Sequence, residues 1–191
     1  MRLQALTPAD LTPDQRALYD LINGGPRGPV HALADGSLRG PFNAMLHQPT
    51  VGTPLQLVGA ALRYDGVLPP RARELAILTV ARAYRAEFEW YAHAPIAVEL
   101  GVPETVVDAI RRGGDPVLED EVERAVVDVA RLVLDRGDLD DPGWNGVTEV
   151  LTVGQLVELT TLVGYYATLA MQMRLFRVPL PEGVPPALPP D

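Results

Sequence analysis

The chain has 191 residues, 16 basic against 25 acidic, a formal charge of −9 and 47% hydrophobic residues, the balance of one globular domain with its own core rather than of a disordered segment. Cysteine is absent and all 16 cations are arginine. Thiol nucleophiles, disulfides, thiolate metal sites, Schiff-base lysines and a P-loop lysine are therefore excluded together.

The N-terminal MRLQALTPADLTPDQ has no apolar stretch of the kind a signal peptide needs, so a cytoplasmic location is expected. Apolar residues then recur with period 3.6 and nowhere alternate between hairpin turns, which predicts an all-α fold. A first helix is expected over 13–23, with Thr12 as N-cap, Pro13 at its first position and Gly24-Gly25 as its stop. The segment 26–40 opens with PRGP, carries Gly36 and Gly40, and reads as a long irregular loop. A short helix at 41–47 precedes one that starts at Pro49-Thr50 and ends near 64–66. Leu68-Pro69-Pro70 opens a helix over 71–84, the next runs over 87–100 to Gly101, and Pro103 starts a short one closed by Gly113-Gly114. Helix 119–135 places Val122, Val126, Val129, Leu132 and Val133 on one face, and its acids read as the solvated face. Between Asp115 and Asp141 ten acids stand against three arginines, a net −7 that repels phosphate and argues against nucleic acid as a partner. Asp141-Pro142 caps a helix to about 151, and 154–177 is apolar nearly all round, so it should be buried on most sides. Its longest uncharged run, 159–173, is shorter than the roughly 18 to 20 residues a bilayer requires, and no membrane partner is expected. The Pro-rich end, 184–191, cannot be helical and is an extended arm or a disordered tail beyond a single domain over 1–183.

Chemistry concentrates between Pro69 and Gly101. Glu74 shares a helical stripe with Leu78 and Ala81, so its carboxylate should lie at the edge of an apolar face; it is equally placed to stabilise the helix start. Glu89 and His93 stand at i and i+4, where their side chains can meet, and a carboxylate beside an imidazole suits acid/base work near neutrality. Trp90 between them reads as a core or interface aromatic. The other histidines, His31 and His47, form no HxH or HExxH spacing, so no metal site is expected.

Several stretches together resemble one known family. They are Arg-Glu-Leu-Ala-Ile-Leu at 73–78, a histidine nineteen residues after that glutamate, and Ile96-Ala97 with Gly101 closing the second helix. Upstream stands GPFNAMLH at 40–47, and downstream LVGYY at 162–166 and VPLP at 178–181. From about 40 to 183 the chain resembles the carboxymuconolactone decarboxylase family, which includes the alkylhydroperoxidase D group of peroxidases. The resemblance implies an all-helical fold of helix hairpins, assembled as a homo-oligomer, often a trimer or hexamer, with its site near the glutamate and histidine and close to a subunit boundary. The peroxidase branch carries a CxxC on the second helix; in register, Ala86 and Glu89 occupy those positions here, while the proton-relay pair falls on Glu74 and His93. A thiol peroxidase is thus not expected.

The function this implies is a cofactor-free lyase or isomerase that moves protons on a small, anionic carbonyl or lactone compound. In that reading His93 donates a proton to a developing enolate, Glu89 orients it and Glu74 is a second acid/base. Arg71 would hold a substrate carboxylate, with Trp90, Phe42 and Tyr165 as apolar walls. Asn43 and His47 enter as polar lining through the resemblance alone; otherwise they read as a helix cap and a surface histidine. The alternative is a scaffold of the same fold that has lost its chemistry and serves as an oligomeric binding protein.

Overall fold

A computed structural model describes residues 1–25 and 28–189. Positions 26–27, at the start of the predicted loop, and 190–191, the end of the Pro-rich tail, lie outside the described residues. The fold is all-α: no strand forms among the described residues, and the single antiparallel bridge joins Ala32 to Leu38. The backbone divides into two compact units, one comprising Met1–Gly66 with Gln172–Pro179, the other Val67–Met171 with the chain from Leu180 onward.

The first unit holds α1 (Pro13–Gly24), a 3₁₀ turn (Gly28–His31), α2 (Pro41–Leu46) and α3 (Pro49–Tyr64). Thr12 and Gln15 close a reciprocal capping box, in which the Thr12 side chain accepts the Gln15 N–H and the Gln15 side chain accepts the Thr12 N–H. The buried face of α1, Leu18 and Ile22, joins Met45 and Leu46 of α2 in the core of this unit. Gly52 lets α3 pass close to them, because a Cβ there would run into the Met45 carbonyl and the Leu18 side chain.

The second unit is built around α4 (Pro70–Tyr84), in which every residue from Leu75 to Ala81 is buried. Packed on α4 are α5 (Glu87–Glu99), α6 (Glu104–Arg112) and α7 (Glu121–Arg136). Arg85 makes the sharp turn into α5 from the left-handed region, φ 52°, which is sterically unfavourable for a residue with a side chain and makes α4 and α5 a tight hairpin. Then come α8 (Asp141–Thr148) and α9 (Val153–Leu175), whose last turn belongs to the first unit. Among the described residues no single helix is long and apolar enough to cross a membrane.

Three elements depart from the sequence reading. In α7 the N-cap is Asp120, whose side chain accepts the N–H groups of Val122 and Glu123, so the helix starts two residues later than expected. Its buried residues are Glu123, Val126, Val127, Val129 and Ala130, so Val126 and Val129 of the expected face are buried while Val122, Leu132 and Val133 are only half-buried. In α8 the cap is Asp140, not Asp141, and the helix ends at Thr148. Finally, α9 is not buried on most sides: Val153, Val157, Met171 and Leu175 are exposed in the single chain.

Of the two states expected for the C-terminal segment, the described part takes the arm. Glu87 accepts the backbone N–H groups of Ala187 (2.8 Å) and Leu188 (3.2 Å). Arg111 donates to the Ala187 carbonyl at 3.2 Å and Arg85 to that of Pro189 at 3.3 Å. Leu188 is buried in the same apolar cluster as Trp90, Ala97 and Ile110.

Candidate active site

The α4–α5 hairpin brings Glu74 and His93 together. Both belong to the second unit, and His93 Nδ1 lies 2.7 Å from Glu74 Oε2, a buried hydrogen bond. Glu74 is 0% and His93 8% exposed, so the carboxylate lies wholly inside rather than at the edge of an apolar face. Its other oxygen, Oε1, is 3.7 Å from Nε of Arg73. Because Nδ1 is committed to a carboxylate, the ring is fixed in orientation with its proton on that nitrogen. His93 Nε2 has no hydrogen-bond partner among the described residues and is the nitrogen open to chemistry. The His93 and Tyr166 rings meet in a T-shaped contact, centroids 5.2 Å apart, and Tyr165 and Tyr166 meet in turn edge-to-face at 5.1 Å.

Glu89 departs from expectation. The i, i+4 spacing allows it to reach His93, yet the imidazole is taken from across the hairpin by Glu74, and Glu89 forms no hydrogen bond with it. Glu89 is 3% exposed, and neither of its oxygens has a partner. Burial therefore pushes its carboxyl well above the usual carboxylate range, since nothing replaces the water that a charge there would lose.

Arg71 is likewise engaged within the protein. Its Nε lies 2.8 Å from Glu123 Oε1 and its Nη2 3.3 Å from Glu123 Oε2, so the guanidinium expected to hold a substrate carboxylate grips a carboxylate of α7. Desolvation raises the Glu123 carboxyl, with Arg71 opposing the shift. Trp90 is buried in the apolar cluster that Leu188 completes.

The remaining expected site residues lie in the first unit. Asn43 accepts the Leu6 N–H at 3.0 Å and donates to the Gln4 carbonyl at 2.9 Å, and His47 Nε2 meets the same carbonyl at 3.0 Å. Phe42 packs on the His31 ring, centroids 4.2 Å apart. Asn43 and His47 thus tie down the N-terminal segment and Phe42 packs on the 3₁₀ turn, which gives the GPFNAMLH stretch a structural employment.

Two residues near the pair were not singled out from sequence, Arg73 and Tyr166. Arg73 is adjacent to Glu74 and could have been read as its local counter-charge. For Tyr166 the only signal was the Tyr-Tyr dipeptide, whose rings leave a helix about 100° apart; which of them reaches His93 depends on how α9 packs. Among the described residues, no three His, Asp or Glu side chains gather in the manner of a metal site.

Residues 49–132 match the sequence profile of the carboxymuconolactone decarboxylase family, a segment that contains Glu74, Glu89 and His93. Direct comparison with curated proteins finds no match. Among solved structures, one similar chain is an uncharacterised peroxidase-related protein from Ralstonia eutropha JMP134, described as an alkylhydroperoxidase AhpD core. It superposes with a TM-score of 0.75 at 15% identity, over 95% of this chain and 92% of that one, a likeness of fold. Residues 49–132 are thus similar to the carboxymuconolactone decarboxylase family, and the chain takes an alkylhydroperoxidase D-like all-α fold without any cysteine.

Proposed function

We propose that the protein is a cofactor-free proton-transfer enzyme of lyase or isomerase type, acting on a small anionic carbonyl or lactone compound. The observation that carries this reading is the buried Glu74–His93 hydrogen bond at 2.7 Å, with a second, buried and unpartnered carboxyl group, Glu89, one helical turn before His93 on the same helix. Glu74 is the positioning residue: it holds the ring through Nδ1 so that Nε2 exchanges the proton. Glu89 stores one, because burial favours its neutral form. For a carboxylated lactone, the carbon–carboxylate bond breaks, carbon dioxide leaves, and the electron pair passes into the conjugated carbonyl as an enolate. His93 or Glu89 then returns a proton to carbon. A cysteine-dependent peroxidase cycle has no thiol here to run on.

The homo-oligomer implied by the resemblance, a trimer or hexamer, is part of this proposal. The uncovered apolar stripe of α9 supports it. The competing scaffold reading draws support from Arg71, whose ion pair with Glu123 removes the cation assigned to substrate. Screening 4-carboxymuconolactone, related lactones and β-keto acids by ultraviolet absorbance and carbon dioxide release separates the two. Turnover that is lost in a His93 variant supports the enzyme, and no turnover across the panel supports the scaffold.

A further inference from the structure

The second unit contains a cleft of about 390 Å³ bordered by α4, α6 and α7, with Ala83, Ile110 and Leu134 as apolar walls and Arg82, Arg131 and Asp135 as its charged groups. Arg82 stands eight residues beyond Glu74 on α4, two helical turns or roughly 12 Å along the axis, so the cleft is separate from the proton-transfer pair.

The Arg82 side chain makes no hydrogen bond or ion pair among the described residues, and its Nε is buried without an acceptor. A buried guanidinium N–H is ordinarily satisfied. The neighbouring end of α6 does not need it: the N–H of Gly113 caps that helix onto the Ala109 and Ile110 carbonyls, and Gly114 N–H returns to Ala109. Gly113 instead makes room for it. At φ +76° that position favours glycine, and a Cβ there would stand 3.2 Å from Arg82 Nη2. The turn thus leaves a guanidinium open into an apolar-walled cleft.

The second cation is partly committed. Arg131 binds Asp115 Oδ1 at 2.7 Å and the Gly114 carbonyl at 2.5 Å, which fixes it at the rim. Asp135, 3.2 Å from Arg136 and largely exposed, adds an opposing charge. With one free cation, one shared cation and one anion, the cleft suits a single negative charge on a hydrocarbon body and disfavours a dianion.

We propose that this cleft binds a small monocarboxylate, its carboxylate forked by Arg82 and its apolar body laid against Ile110 and Leu134. The test is titration of ¹⁵N-labelled full-length protein with sodium benzoate, and separately with inorganic phosphate, followed by amide and arginine Nε–H shifts. The expected result is saturable movement at Gly113, Ile110 and Arg82 with benzoate, weakened at least about tenfold in Arg82→Gln by loss of the charge-assisted fork. Asp135→Asn, at an exposed position that tolerates the change, should tighten binding by about twofold or more. Benzoate shifts that are absent from these positions, an affinity unaltered in Arg82→Gln, or phosphate binding as tightly as benzoate would each overturn the proposal. If Arg82→Gln does not fold, an Asp135→Asn affinity equal to that of the unmodified protein overturns it.

Discussion

At Glu89 a carboxyl group is enclosed with no hydrogen-bond donor, and ionising it would forfeit hydration without replacement. Its folded affinity for a proton is therefore raised above that of the unfolded chain, with burial as the cause. Below the unfolded value, near 4.5, both states bind the proton and its contribution is fully present; as pH rises toward the folded value only the native state keeps the proton, and that contribution is lost. Glu89→Gln removes the titration while keeping the shape. Melting curves of the two proteins from pH 4.5 to 8 should diverge, the variant gaining relative stability as pH rises; parallel curves would mean that Glu89 titrates normally.

The same scale decides how His93 is to be tested. Removing the ring with alanine would leave Glu74 buried without its partner, a loss of about 1–3 kcal/mol or more that confuses folding with catalysis. Asparagine places an amide donor where Nδ1 stands and cannot relay a proton. His93→Asn should therefore keep most of the thermal stability and lose about a hundred- to ten-thousand-fold of any turnover found; activity within about threefold of the parent would make His93 structural. From sequence, the two members of this pair were within reach as candidates, because Glu74 and His93 lie within twenty residues. Which carboxylate meets the ring was not legible, since helical spacing favoured Glu89 while the hairpin geometry delivers Glu74.

Between residue and whole lie the helices, and most were readable because their ends are chemically marked: Thr12 with Pro13, Pro69 with Pro70, Gly101 and Gly113. Where two neighbouring signals compete, the reading slipped. Asp140 and Asp141 stand side by side ahead of Pro142, and it is Asp140 that has the extended backbone that lets its side chain accept the Gly143 N–H. In α7 hydrophobic positions cover more of the circumference than one neighbour can bury, so periodicity alone left the buried face free to rotate. The C-terminal arm carries no local signal, because its order comes from distant partners on α5 and α6. Leu188→Ala, which empties a buried position at 6% exposure, should cost about 2 kcal/mol and lower the melting temperature by about 4–8 °C in calorimetry. A shift below about 1 °C would mean that the arm adds no packing in solution.

For the whole molecule, composition excluded more than it assigned: without cysteine or lysine, the chemistry left to the chain is that of carboxylates, imidazole and arginine. Division of the backbone into two compact units was not visible in the sequence, since no linker-like run separates them and the first unit takes back residues 172–179.

Assembly is the property that the single chain leaves open, and α9 is where it can be tested. Val153, Val157, Met171 and Leu175 are exposed at 59, 61, 52 and 60%, on a helix whose other face is buried in the chain. Thr161 and Gly164, also exposed, and the half-buried Thr168 continue the stripe between them at steps of three and four residues. A Cβ on Gly164 would meet nothing within 4 Å, so the middle of the stripe is low and open to a second helix. Such a row is an expensive surface to leave in water and a suitable one to bury against another copy. Light scattering at micromolar concentration should therefore give a mass well above the 20.7 kDa of one chain. Val157→Glu with Met171→Glu should return it to the monomer without unfolding it, because both side chains are already exposed within the chain and a charge buried at the contact is penalised. A parent mass of about 20.7 kDa would refute assembly, and an unchanged oligomer in the double variant would place the contact elsewhere than on α9.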